Sequence, residues 1–298
     1  DIVMAMVHKF QERDIYAASF PQLNKSDKIL IMVDEAHRSI YKSLGSNINK
    51  AAPNAVWIGY TGTPVDKSEK AFKEYIDKYT MKEAIEDGAT LTIEPGTIIK
   101  GDKNTKAAII AKRGGKLIAK GTASAPIVFT SNQAAGSRKP GDWGGIILCG
   151  RAKNNIDIVD GMQIEGGVNA KHGGNDDNDN SGVVSYVRIE YAGFPFATDQ
   201  EINGLTMGSV GRGTQIDHVQ VSYSNDDSFE WFGGTVNAKY LVAYHGWDDD
   251  FDTDNGYSGN LQFLLGVRNP QIADQSLSNG FESDNNANGT TDEPYTKA

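Results

Sequence analysis

The feature that most constrains this chain is a strand pattern that keeps returning. Four runs align without gaps: Ser185-Tyr-Val-Arg-Ile-Glu-Tyr-Ala-Gly193, Asp217-His-Val-Gln-Val-Ser-Tyr-Ser-Asn225, Ala238-Lys-Tyr-Leu-Val-Ala-Tyr-His-Gly246 and Leu261-Gln-Phe-Leu-Leu-Gly-Val-Arg-Asn269. Alternate positions are apolar, which is the period of a half-buried strand. In this alignment Val187, Val219, Tyr240 and Phe263 share one column. Ile189, Val221, Val242 and Leu265 share the next, and Tyr191, Tyr223, Tyr244 and Val267 a third. The steps between runs are 32, 21 and 23 residues. One strand per repeat at this period indicates a solenoid whose equivalent residues stack about 4.8 Å apart. An antiparallel sandwich needs hairpin turns every 8–12 residues or so, and the long Gly/Asp corners fit that poorly. The expected fold is mainly β: a right-handed parallel β-helix of about eight coils of about 25 residues, ordered from residue 90 to 284.

Composition breaks near residue 86. Residues 1–86 carry 12 basic and 12 acidic side chains, so the whole net charge of −10 belongs to residues 87–298. Only Gly45, Gly59 and Gly62 of the 33 glycines precede the break. Two domains are therefore expected, 1–86 and 87–298. An acidic C-terminal part repels phosphates, which argues against nucleic acid as its partner and favours cations or neutral sugars. No apolar run is long enough to cross a membrane, and no signal peptide is present. The chain opens at Asp1 and is expected to be a fragment or a processed product. The single cysteine, Cys149, lies in an apolar run and is expected to be buried and inert.

Before the break, Ile2–Val7, Ile29–Val33 and Ala55–Tyr60 are short apolar runs separated by stretches of helical length such as Ser39–Lys50. Ser68–Glu86 reads as amphipathic helix. That alternation predicts a partial α/β unit with a parallel sheet. Asp34 and Glu35 follow the second run and Thr61, Gly62 and Thr63 the third, where ligands of open α/β sheets bind. One such carboxylate suits Mg²⁺ and a second suits an attacking water.

After the break, acidic residues recur. Asp226, Asp227 and Glu230 are placed in register with Asp249, Asp250 and Asp252, then with Glu282 and Asp284, with Phe229, Phe251 and Phe281 marking the register. Stacked coils bring these carboxylates together, and like charges that close need a cation or water between them. Ca²⁺ is the cation such oxygen ligands suit; a hydrated acidic ridge fits the same pattern. Trp231, Trp247 and Tyr257 are candidates for stacking on sugars, and equally for corner packing. A polysaccharide lyase needs a Lys or Arg base in its groove, and only Lys239 and Arg268 lie near. A glycosidase needs two carboxylates alone.

The strings Val7-His-Lys-Phe10, Asp34-Glu-Ala-His-Arg38, Ile58-Gly-Tyr-Thr-Gly-Thr-Pro64 and Tyr75-Ile-Asp-Lys-Tyr79 resemble superfamily 2 helicases, most nearly the motor subunit of type I restriction–modification enzymes. The resemblance covers about residues 1–90. It implies an ATP-dependent DNA translocase parent, with Asp34 linked to Mg²⁺, Glu35 orienting water, and His37 and Thr61–Thr63 coupling hydrolysis to DNA movement. A Gly-x-x-x-x-Gly-Lys-Ser/Thr loop occurs nowhere in the chain. Without that cradle for the phosphates, no ATP hydrolysis is expected here.

From about Glu86 onward the chain resembles a family of secreted bacterial right-handed β-helix surface proteins. The strings that carry the likeness include Leu91-Thr-Ile-Glu-Pro-Gly-Thr-Ile-Ile99, Pro140-Gly-Asp-Trp-Gly-Gly-Ile147, Asp226-Asp-Ser-Phe-Glu-Trp-Phe-Gly-Gly234, Asp248-Asp-Asp-Phe-Asp-Thr-Asp254 and Asn279-Gly-Phe-Glu-Ser-Asp284. It implies an extracellular or cell-surface module without assigned catalytic residues and with glycans or surface components as partners, its far end missing. The motor parent implies the cytoplasm. Glu86-Asp-Gly-Ala-Thr90 fits both resemblances, so the expected arrangement is a chimera joined at a short shared sequence. The rival is a genuine two-domain protein.

Overall fold

The computed structural model describes residues 25, 30–33, 50–59, 90–156, 160–197, 200–273 and 278–296. The chain divides into two compact units, Asp1–Thr80 and Met81–Ala298. In the first, β1 (Leu30–Val33) pairs in parallel with β2 (Val56–Gly59), from Leu30 opposite Val56 to Val33 opposite Gly59. Parallel pairing is what the sheet of an α/β unit requires. Ile2–Val7, the helical stretches Ser39–Lys50 (but for its last residue) and Ser68–Glu86, and the motif residues Asp34, Glu35, His37, Thr61, Gly62 and Thr63 lie outside the described residues.

The second unit is a parallel β-helix. Its strands are β3 (Thr90–Ile93), β4 (Ile98–Gly101), β5 (Ala108–Ala111), β6 (Lys116–Lys120), β7 (Ile127–Ser131), β8 (Gly145–Cys149), β9 (Met162–Gln163), β10 (Lys171–His172), β11 (Gly182–Glu190) and β12 (Pro195–Ala197). They continue with β13 (Gln200–Glu201), β14 (Leu205–Gly208), β15 (Gln215–Ser222), β16 (Phe229–Phe232), β17 (Ala238–Tyr244), β18 (Phe251–Asp254), β19 (Leu261–Val267) and β20 (Glu282–Ser283). One wall stacks β3, β6, β11, β15, β17 and β19, with β4 and β7 joining beside the second half of β11. The other wall stacks β5, β8, β14, β16, β18 and β20. Every ladder in both walls is parallel, the pattern of a solenoid rather than a sandwich.

Six levels are described, where about eight were expected. The excursions at 151–181 and 191–204 carry the hairpins β9–β10 and β12–β13, which pair only within themselves and add no rung.

The long strands contain a bend that corrects the sequence alignment. Tyr186, His218, Tyr240 and Phe263 all have φ between 50° and 60°. A left-handed residue costs a non-glycine side chain about 1–2 kcal/mol, and here it turns each strand and resets its in–out alternation. Val187 therefore lies beside Val219, Val219 beside Leu241, and Leu241 beside Leu264. Tyr240 and Phe263, assigned above to the column of Val187, are instead 41% and 60% exposed. Val221 pairs with Ala243 rather than Val242, and the third run sits 22 rather than 21 residues after the second. In the first two coils the same corner is a loop, between β3 and β4 and between β6 and β7.

The interior is filled by Leu117, Ile127, Phe129, Val187, Ile189, Leu205, Met207, Val219, Phe229, Trp231 and Leu241, all at most 1% exposed. Each such side chain stabilises by roughly 1.5–3 kcal/mol relative to exposure. Inside the second wall Phe229 stacks on Phe251 at 5.5 Å. Gly182 opens β11 at φ 116°, where a Cβ would stand 2.1 Å from the carbonyl oxygen of Leu117, so no other residue fits. Cys149 is fully buried, and burial pushes its thiol up to about 12, which makes it inert as expected.

Outside the second wall, Ile147 and Cys149 of β8 pack against Ile164, Ala170, Ile202 and Phe232, so the lower coils are covered on both faces. Further along the wall the equivalents of Ile147 are Thr206, Glu230, Asp252 and Glu282. An apolar column thus becomes an acidic one within a single face.

Candidate functional site

The acidic column arises from strand alternation. In β16, Phe229 and Trp231 enter the core, leaving Glu230 to the outer face; in β18, Phe251 and Thr253 enter and Asp252 faces out. Parallel pairing sets Glu230 beside Asp252 and Asp252 beside Glu282. The turn before β16 adds Asp226 and Asp227. Two groups result whose carboxylate oxygens lie within 4.8 Å of one another: Asp227, Glu230 and Asp252, and Asp226, Asp227 and Asp248. Asp227 belongs to both.

Asp227 and Glu230 are buried, at 8% and 6% exposure. Burial, then the charges of Asp226, Asp252 and Asp248, drives the Asp227 carboxyl well above its usual range; a hydrogen bond from the Asp249 amide at 2.8 Å opposes this. Burial, then Glu165, Asp227, Asp252 and Asp226, does the same to Glu230, which accepts a hydrogen bond from Asn203 Nδ2. Asp252 is pushed up to about 7 by burial and by Glu282 and Asp254. Asp249 is pushed up to about 8, first by burial and then by its contact with Glu282. Carboxyls this close cannot all be ionised without a counterion, so at neutral pH each cluster holds protons or a cation. Thr206 Oγ1, on the residue that neighbours Glu230 in the column, is buried with no hydrogen-bond partner among the described residues.

The structure brings together Asp226, Asp227, Glu230 and Asp252 of the sequence candidates and moves others apart. Asp250 leaves the corner: it stands at the level of Ser228, turns toward Gly266, and lies 3.2 Å from Arg268 Nη1, although neither of its oxygens has an aligned hydrogen bond. Its carboxyl is pushed up to about 6 by burial, with Arg268 opposing. Glu282 and Asp284 are exposed at the last level. Asp248 and Asp254 were missed. The phenylalanine register places Asp248 with Asp226 and Asp249 with Asp227, and following it strictly finds the pairing. Asp254 also rises, through burial and the charges of Asp284 and Glu282.

The aromatic platform is corrected. Trp231 is fully buried, and Tyr257 is 1% exposed with its hydroxyl donating to Val236 O at 2.7 Å. The two rings pack at 5.6 Å inside the core. They entered the core because position 231 alternates inward with Phe229. Trp247 alone, at 38% exposure, faces solvent. The exposed aromatic feature lies at the bend of the first wall instead. There Tyr186, His218, Tyr240 and Phe263 stack at 4.3, 4.6 and 4.8 Å beside a groove of about 400 Å³ that Arg188, Gln220 and Val242 also line. The stacked rings turn their faces to each other, which leaves mainly edges for a ligand.

Comparison with known proteins separates the two units. The SWI2/SNF2 ATPase profile matches residues 1–119, and that of pectate-lyase-like β-helix domains matches residues 68–298. The chain is 34% identical over 96 residues to the putative type I restriction enzyme MjaIXP endonuclease subunit of Methanocaldococcus jannaschii, which covers 31% of this chain and 9% of that protein. It is 37% identical over 90 residues to the type I restriction enzyme HindI endonuclease subunit of Haemophilus influenzae, covering 25% of this chain and 8% of that one. The chain spans less than a tenth of the length of these two relatives. No solved structure matches it. Sequence of two families is therefore joined in one chain, with their profiles overlapping over residues 68–119.

Proposed function

The chain belongs to the family of pectate-lyase-like β-helix domains, and from that premise we propose that its β-helix is a non-catalytic binding module whose acidic corner takes a calcium ion. The carrying observation is the shared vertex Asp227: buried, with carboxylate oxygens within 4.8 Å of those of Glu230 and Asp252 and of Asp226 and Asp248. Hard oxygen donors in that number suit Ca²⁺ better than Mg²⁺, which demands tighter octahedral geometry. Asp249, Glu282 and Asp284 extend the acidic face beyond the cluster. Asp250, turned to Arg268, is not a ligand in this reading. A glycosidase is disfavoured. Retaining enzymes hold their two carboxyls about 5–5.5 Å apart around an accessible bond, whereas Asp227 and Glu230 are buried, at 8% and 6% exposure. An extracellular or cell-surface setting, where calcium is abundant, and glycan partners that use Trp247 accord with the module.

The N-terminal segment, in our reading, is a piece of a DNA-translocating restriction subunit that does not hydrolyse ATP in this chain, because no phosphate loop accompanies Asp34, Glu35, His37 and Thr61–Thr63. DNA and Mg²⁺/ATP belong to its parent alone. The joint arose by recombination, assembly or construction at Glu86-Asp-Gly-Ala-Thr90.

Calorimetric titration with calcium at pH 7.5 tests the module. Saturable binding that Asp227→Asn abolishes, with circular dichroism unchanged, supports it. Binding no tighter than that of magnesium, or unaffected by Asp227→Asn, overturns it.

A further inference from the structure

Asparagine followed by glycine occurs four times: Asn203-Gly204, Asn255-Gly256, Asn279-Gly280 and Asn288-Gly289. In this dipeptide the glycine amide nitrogen is unhindered and can attack the asparagine Cγ, provided that nitrogen is free to move. The fold treats the four differently. Gly204 N donates to Asp227 O at 2.9 Å, and Asn203 is 1% exposed. Gly256 N donates to Thr296 Oγ1 at 2.9 Å, and Asn255 is 3% exposed. Gly289 N donates to Asn286 O at 2.8 Å. Gly280 N makes no hydrogen bond among the described residues, both Asn279 and Gly280 are exposed, and open space surrounds the glycine Cα.

We propose that Asn279 is a modification site, deamidating through a succinimide with Gly280 while the other three asparagines are held. The Gly280 nitrogen forms a bond to Asn279 Cγ and loses its proton. The Cγ–Nδ2 bond breaks, and Nδ2 leaves as ammonia carrying that proton. Water then opens the ring at either carbonyl to give aspartate or isoaspartate; nothing is oxidised or reduced. Glu282 holds Nδ2 at 3.1 Å and the Asn279 amide donates to Asp249 Oδ1. The product therefore adds a carboxylate next to Asp249 and Glu282, at the last level of the acidic face. The isoaspartate branch also lengthens the backbone where Asp250 N donates to Asn279 O at 3.1 Å.

The other three glycine amides must first be released from a hydrogen bond, so Asn279 should react about fivefold faster than they do in the folded protein, the equivalent of about 1 kcal/mol. The test is peptide mapping by tandem mass spectrometry of the full chain at pH 8 and 37 °C, folded and in 8 M urea. Conversion first at residue 279 when folded, with the four sites within a few-fold of each other in urea, supports the proposal. It is overturned if Asn288 or a buried site reacts first when folded, or if Asn279 reacts no faster than they do. An Asn279→Gln variant must remove the folded-state signal.

Discussion

Two outward columns of the β-helix are built by the same parallel stacking and have opposite energetics. On the first wall Tyr186, His218, Tyr240 and Phe263 stack at 4.3–4.8 Å. Each ring pair stabilises by about 0.5–1.5 kcal/mol beyond its burial, which offsets part of the left-handed backbone they share. On the second wall Glu230, Asp252 and Glu282 hold the equivalent relation. Two carboxylates within 4.8 Å repel by roughly 3 kcal/mol at an effective dielectric of 20. A solenoid repeats whatever its coil carries, so like side chains meet whether or not they attract. An aromatic column is stable in itself, while an acidic column needs a proton or an ion.

The largest effect is expected in the core that both walls share. Trp231→Ala removes a fully buried ring packed against Phe229 and Tyr257 and should cost about 3–5 kcal/mol, read as a fall in the denaturation midpoint with or without calcium. A cost under about 1 kcal/mol would mean that position 231 does not face inward. Asp252→Asn comes next. It relieves repulsion, so in chelator the variant should melt above wild type by the equivalent of about 1–3 kcal/mol, and it should lose the calcium response. Lower stability in chelator would indicate that the column is held by its own hydrogen bonds. Tyr240→Ala should cost about 0.5–1.5 kcal/mol, the same in calcium and in chelator. A calcium-dependent cost would couple the two walls. The smallest effect belongs to the other unit: phosphate release with DNA and ATP should stay at background and be unchanged by Glu35→Gln, and a release that the variant removes would restore the motor reading.

Much of this was legible beforehand. The runs beginning at Ser185 and Asp217 pair in the register the alignment gave, Ser185 opposite Asp217 and Val187 opposite Val219, because alternation and step length were both intact there. The slip at Tyr240 had a physical cause. Nothing in a tyrosine, histidine or phenylalanine signals a left-handed conformation, which asparagine and glycine adopt far more often, so a bend inside an apolar run was read as one more alternating position. Phe229, Phe251 and Phe281 set the acidic column correctly, Glu230 beside Asp252 beside Glu282. On the turn before Phe251 three consecutive aspartates, Asp248 to Asp250, fit the repeat equally well when shifted by one, so pairing Asp226 with Asp249 overlooks Asp248 and brings in Asp250. Trp231 and Tyr257 were ambiguous because aromatic rings serve cores and platforms alike, and only their neighbours decide. The burial of β8 on both faces depends on the excursion at 151–181 folding back over the wall, a tertiary contact that no local pattern encodes.

The measurement that tests the acidic column most directly is thermal unfolding in calcium and in chelator, at fixed ionic strength, from pH 5 to 8.5. The carboxyls of Asp252 and Asp249 are raised in the folded state to about 7 and about 8 from an unfolded value of 3.8. Protons held by the folded protein therefore stabilise it fully below about pH 4, and this contribution is lost as pH rises through 7 and 8. In chelator the melting temperature should fall across that window. In the proposed site calcium would bind only the ionised cluster of the folded state, so its stabilisation should be near zero at pH 5 and grow toward pH 8.5. Equal melting temperatures in calcium and chelator at pH 8.5, or a calcium effect as large at pH 5, would contradict the site and leave the carboxylates as a hydrated acidic ridge.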